Sequence, residues 1–169
     1  SFTVPARGKA AFDVTIDANA ALPDRSIYGG YVVLTASNGT APLRVPFAGF
    51  KGDYQSTQVL TPTANGFPWL ASLTGTSLFN QPTGATYTLA DEFSIPYFLI
   101  HLDHLSRKLV LEAYDADTGR SWHKVSLDEY MTRNSTPGGF FTFSWDGTTF
   151  RGKGTSPHQW TTVPNGRYV

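Results

Sequence analysis

Tyr31-Val32-Val33-Leu34-Thr35-Ala36-Ser37-Asn38-Gly39-Thr40-Ala41-Pro42-Leu43-Arg44-Val45-Pro46-Phe47 holds two strand-like runs on either side of a turn. Tyr31 to Ala36 is apolar on both faces, which predicts a central strand. Leu43, Val45 and Phe47 then alternate with Arg44, the period-two pattern of a strand with one face covered. Asn38-Gly39 supplies the turn chemistry that joins such runs, so the pair is expected to form an antiparallel hairpin.

The same periodicity extends outward. Upstream, Phe12, Val14 and Ile16 alternate with Asp13, Thr15 and Asp17, predicting a half-buried strand over residues 10–17. Downstream, Gly52 to Gly84 is rich in Thr, Gly, Pro and Asn and reads as a long irregular excursion, with islands at Trp69-Leu70 and Leu78-Phe79. Phe98, Ile100 and Leu102 form the next stripe. A turn at Ser106-Arg107-Lys108 then leads to Leu109, Leu111 and Ala113, so a second hairpin is expected there. Asp115-Ala116-Asp117-Thr118-Gly119 reads as a turn before Ser121 to Leu127, a strand expected to end in one helical turn at Leu127 to Met131. Phe141, Phe143 and Trp145 make the last strong stripe. The stripes predict burial of Phe12, Val14, Tyr31, Val33, Val45, Phe47, Phe98, Ile100, Leu109, Leu111, Phe141, Phe143 and Trp145.

No segment of useful length places apolar residues at helical spacing, and 16 Gly with 11 Pro punctuate the strands. An all-β sandwich or barrel follows. The 169 residues, 40% hydrophobic and 15% charged, suffice for a packed core and lie outside the composition of disordered chains. Thirteen basic and thirteen acidic side chains cancel without any basic block, so nucleic acid is not an expected partner. No apolar run approaches a membrane span. The absence of cysteine excludes disulfides, thiolate metal sites and a cysteine nucleophile. The triplets Asn38-Gly39-Thr40 and Asn134-Ser135-Thr136 match the N-glycosylation acceptor pattern and are compatible with a secreted or cell-surface protein; Pro137 follows the second. Ser1 opens directly in a strand-like run with no signal peptide, and Arg167-Tyr168-Val169 ends inside another, so the chain reads as a fragment.

Tyr28-Gly29-Gly30-Tyr31-Val32-Val33-Leu34, followed by Val45-Pro46-Phe47-Ala48-Gly49-Phe50-Lys51-Gly52-Asp53-Tyr54, resembles the end of the fibronectin type III-like domain behind the catalytic domain of secreted subtilisin-like serine proteases of fungal and bacterial cell-envelope type. Trp145-Asp146-Gly147 and Val163-Pro164-Asn165-Gly166-Arg167-Tyr168 resemble the hairpin that closes the following fibronectin-like module. The resemblance implies that residues 1–50 are the C-terminal strands of one antiparallel sandwich. Residues 51–169 would be most of a second, truncated in its last strand. From the residues themselves, Asp146-Gly147 and Asn165-Gly166 suit turns that return Tyr168 to the core beside Trp145.

Asp117-Thr118-Gly119, Gly75-Thr76-Ser77 and Gly154-Thr155-Ser156 imitate strings of the subtilase active site. A triad also needs a histidine base within reach of the serine, and no histidine here stands in the family's setting, so no catalytic residue is expected. Asp117-Thr118-Gly119 is expected to be a turn. His101, Asp103 and His104 offer two same-face ligands where a structural zinc takes four, and are expected on a solvated sheet face. Asp115 and Asp117 alternate as in calcium loops, with Glu112 and Asp128 nearby in sequence, yet a plain turn explains them. No metal or cofactor is expected. Lys51-Gly52-Asp53 looks like an integrin-binding tripeptide but falls at the junction between modules.

Binding residues are expected in the loops 52–84 and 152–164, with Trp69 and Trp160 as anchors. The expected function is a non-catalytic accessory segment whose partners are the catalytic domain of the parent protease and its protein substrate. The alternative is an independent module that binds carbohydrate or a cell surface.

Overall fold

The computed structural model describes residues 2–152 and 158–169 and is all-β with antiparallel pairing. The strands are β1 (Ile27–Leu34), β2 (Leu43–Phe50), β3 (Trp69–Thr74), β4 (Ser77–Asn80), β5 (Tyr97–Ile100), β6 (Ser106–Tyr114), β7 (Ser121–Met131), β8 (Phe141–Ser144), β9 (Thr148–Arg151) and β10 (His158–Thr162). One 3-10 turn, Tyr54–Ser56, follows β2 with Asp53 as its cap. The chain divides into two compact units, Ser1–Thr57 and Gln58–Val169. The turn after β2 belongs to the first unit, where Tyr54 packs edge-on against Phe50.

In the first unit β1 and β2 pair from Ile27↔Phe50 to Leu34↔Leu43, closed by the turn at Asn38-Gly39 as expected. The two strands form a sheet of their own. Tyr31, expected to be central and covered, is exposed, as are Val33 and Val45. Among the described residues the unit has no second layer of strands to cover the apolar alternation. Residues 10–17 are not a strand, and Phe12, Val14 and Ile16 are exposed. Alternation alone cannot make a strand without a partner edge to supply its hydrogen bonds.

Gly49 lies opposite Tyr28, and the phenol ring of Tyr28 fills the space that a side chain at 49 would need. Lys51 closes the base of the ribbon. Its N–H donates to the Ser26 carbonyl, its own carbonyl accepts from the Arg25 N–H, and its Nζ donates to the carbonyls of Ala20 and Leu22.

The second unit has two four-stranded antiparallel sheets, ordered β4-β3-β5-β8 and β10-β9-β7-β6. The islands expected inside an irregular excursion are strands. Trp69 and Leu70 open β3, Leu78 and Phe79 lie in β4, and Gly75, at φ 60, makes the turn between them. The expected hairpin between the Phe98 and Leu109 stripes is absent. β5 pairs with β3 and β8, while β6 pairs with β7, because the chain crosses from one sheet to the other between Ile100 and Ser106. The β6–β7 hairpin turns at Asp115–Gly119, and β7 continues as strand to Met131 where a helical turn was expected.

Two apolar clusters hold this unit. Phe67, Ala71 and Leu99 pack with Trp69, Leu78 and Tyr97. Ile100, Leu102 and Leu109 pack with Leu111, Met131, Phe141 and Phe143, drawing on strands of both sheets. Of the expected core, Ile100 and Leu109 are buried and Phe47, Phe98, Leu111, Phe141, Phe143 and Trp145 half-buried.

Candidate functional site

Trp69 and Trp160 have different environments. Trp69 pairs with Leu99 across β3 and β5, donates its indole N–H to the Asn65 carbonyl at 2.7 Å, and packs against Phe67. It is half-buried against the Phe67 cluster, with its indole N–H committed to the loop backbone. Trp160 lies on β10, an edge strand, and is 58% exposed. Gln159, at φ 55, is the extra residue of a bulge between His158 and Trp160, and Trp160 sits opposite Phe150 with ring centroids 5.1 Å apart. A bulge re-aims the side chain beside it, here leaving the indole tilted against the buried Phe150 and largely in water. The Lys124 ammonium lies 5.9 Å from the Phe150 ring, so a cation borders this aromatic pair.

The larger apolar surface belongs to β1 and β2. Ile27 is 81% exposed and shares its face of the ribbon with Tyr31 and Val33, while Leu43 and Val45 are exposed on the other. Contiguous exposed apolar surface on a soluble unit marks a place where something else packs. Phe50, Lys51 and Asp53 line a shallow cleft of about 210 Å³ together with Asp24 and Arg25. Lys51-Gly52-Asp53 is committed to the fold there. The lysine holds two carbonyls, and Asp53 accepts from the Gln55 N–H.

Two of the three strings that imitate catalytic motifs lie at hairpin turns. Asp117-Thr118-Gly119 joins β6 to β7. The Asp115 carboxylate accepts from the Thr118 N–H and hydroxyl at 2.7 and 2.8 Å, and Asp117 pairs with Arg167 at 3.3 Å. The Thr118 hydroxyl, then its N–H, hold the Asp115 carboxyl below its ordinary range. Gly75-Thr76-Ser77 is the β3–β4 turn, and Gly154-Thr155-Ser156 lies outside the described residues. His101, expected on a solvated face, is 3% exposed: its Nδ1 is 2.6 Å from the Gly139 carbonyl and its ring stacks over Phe67. It stands just past β5, where the chain turns inward toward the second sheet. Asp103 remains exposed. Among the described residues no group of three His, Asp or Glu is placed to hold a metal ion, and no helix is long and apolar enough to cross a membrane.

No family model, curated protein or solved structure matches the chain. The surfaces themselves therefore carry the functional reading. Sequence reasoning missed the role of Asn134, whose side chain anchors the buried Leu102 backbone. The triplet around it drew attention for another reason. No signal in the sequence separates an asparagine that caps a backbone from one that is free.

Proposed function

We propose that the chain is a non-catalytic accessory segment of a secreted subtilisin-like serine endopeptidase, built on fibronectin type III-like architecture. Residues 1–50 would end one sandwich and residues 51–169 supply most of the next. The observation that carries this reading is the β1–β2 ribbon, with Ile27, Tyr31, Val33, Leu43 and Val45 in water. Such a ribbon suits a segment whose apolar faces are covered by neighbouring parts of a larger protein. Support for the second module comes from two four-stranded sheets sharing one apolar cluster, as the facing layers of a sandwich do.

The segment would hold the catalytic domain in place and border the path of protein substrate. Hydroxyl-radical footprinting tests this: Tyr31, Val33 and Val45 are expected to be strongly labelled in the 169-residue chain and protected in the parent protein. Equal labelling in both, or a parent without a subtilisin-like triad, would sink the proposal.

A second reading, a carbohydrate- or cell-surface-binding module, is favoured by the exposed indole of Trp160 on an edge strand. It expects retention on a polysaccharide column that Trp160→Ala abolishes. The accessory reading expects no retention by either form.

A further inference from the structure

The two Asn-x-Ser/Thr triplets are the same motif in opposite structural circumstances. Asn134 is committed twice to Leu102. Its backbone N–H donates to the Leu102 carbonyl at 2.8 Å, and its Oδ1 accepts from the Leu102 N–H at 2.8 Å. Leu102 is fully buried, so the Asn134 carboxamide satisfies a donor that water does not reach. The loop then closes over that side chain. A β-carbon added at Gly139 would stand 3.3 Å from the Asn134 Cβ and 3.4 Å from its Nδ2, while the Gly139 carbonyl engages His101. Asn134 is half-buried there, with Gly139 beside its amide.

Asn38 has the reverse arrangement. It is exposed in the turn between β1 and β2, and Thr40 holds its Oδ1 through the backbone N–H at 3.2 Å and the hydroxyl at 2.9 Å. Its Nδ2 donates to none of the described residues. The triplet's hydroxyl thus fixes the carbonyl end of the amide and leaves the nitrogen end to solvent.

We propose that Asn38 is the N-glycan acceptor of this chain and that Asn134 is a structural residue whose triplet goes unused. In the transfer the Asn38 Nδ2 bonds to the anomeric carbon of a lipid-pyrophosphate-linked oligosaccharide. The bond from that carbon to the pyrophosphate oxygen breaks, the pyrophosphate leaves with the electron pair, and one amide proton passes to a base. No oxidation is involved. At Asn38 the glycan projects from a turn without disturbing β1 or β2. At Asn134 a glycan added during synthesis would keep the amide from its place between Leu102 and Gly139. Such a chain would not complete the cluster around Leu102.

Use of the site by the cell rests on the secreted placement proposed above. Acceptor competence is tested separately by secreting the full chain, behind a signal peptide, from a eukaryotic host. Intact mass is read before and after peptide-N-glycosidase, and the converted asparagine is located by peptide mapping. One glycan is expected, lost in Asn38→Gln and in Thr40→Ala. Thr136→Ala, which removes the second triplet without touching the Asn134 bonds to Leu102, is expected to keep the glycan unchanged. A secreted chain without glycan, or a folded fraction glycosylated at Asn134, overturns the inference. A glycan at Asn38 in this host, with none on the parent from its native source, would uphold acceptor competence while counting against the secreted placement.

Discussion

Trp145 and Tyr168 meet edge to face, ring centroids 5.4 Å apart and planes at 87°. Between them in sequence lie β9 and β10, so this contact ties the start of the last hairpin to the returning C-terminal segment. The Trp145 indole N–H donates to the Thr148 carbonyl, and the Tyr168 hydroxyl donates to the Pro164 carbonyl, which orients both rings. Edge-to-face pairs contribute about 0.5–1.5 kcal/mol beyond their buried area. A double-mutant cycle of Trp145→Ala and Tyr168→Ala, followed by urea denaturation, is expected to give a coupling energy in that range. Strict additivity would show that the rings touch without cooperating.

Leu99 is almost fully buried between Phe67 and Ala71, whereas Val45 is 53% exposed on the ribbon. Leu99→Ala is expected to cost about 2–5 kcal/mol through lost contacts and the cavity it leaves. Val45→Asp in the same chain is expected to change the midpoint of unfolding little, on the order of 0.5 kcal/mol. A large effect of Val45→Asp would mean that the ribbon is covered.

Asn134→Ala removes the partner of a buried backbone N–H and is expected to destabilise by about 1–3 kcal/mol. Hydrogen exchange at Leu102 should accelerate in the variant. Unchanged protection there would assign the donor to another acceptor.

The Asp146 carboxyl is held below its ordinary value chiefly by the Thr148 hydroxyl and then by the Thr148 N–H. A carboxyl depressed in the folded state contributes stability above its unfolded value, near 3.8, and that contribution fades as pH falls through the lower folded value. Thr148→Val removes the hydroxyl and keeps the N–H, so its penalty is expected at about pH 6 and should shrink as pH falls below about 4. The group is largely exposed, and the effect should be small. A penalty independent of pH would assign the loss to packing.

How far the fold was legible depended on whether a pattern carried its own partner. Asn38-Gly39 sits between two alternating runs, so β1 and β2 could be paired from sequence. Phe12, Val14 and Ile16 alternate just as well but have no strand beside them. β3 and β4 were hidden by Thr, Gly and Pro around short runs, and β4 is only four residues long. β5 and β6 are consecutive, apolar and separated by a turn-like segment, which in sequence is indistinguishable from a hairpin; the crossover between sheets is a tertiary fact. For the site, the exposure of Trp160 and the partial burial of Trp69 both depend on strand position. Trp69 lies on β3, flanked by β4 and β5, and Trp160 lies on an edge.

The grip of Lys51 on Ala20 and Leu22 makes one ammonium group a fastener between the strandless leading segment and the ribbon. Acetylation of that nitrogen would remove its charge and leave it one N–H for two carbonyls. The bond between the Arg25 N–H and the Lys51 carbonyl would remain, so release would stop short of the ribbon itself. Residues ahead of Leu22 would then lose their side-chain hold on the ribbon while β1 and β2 stayed paired.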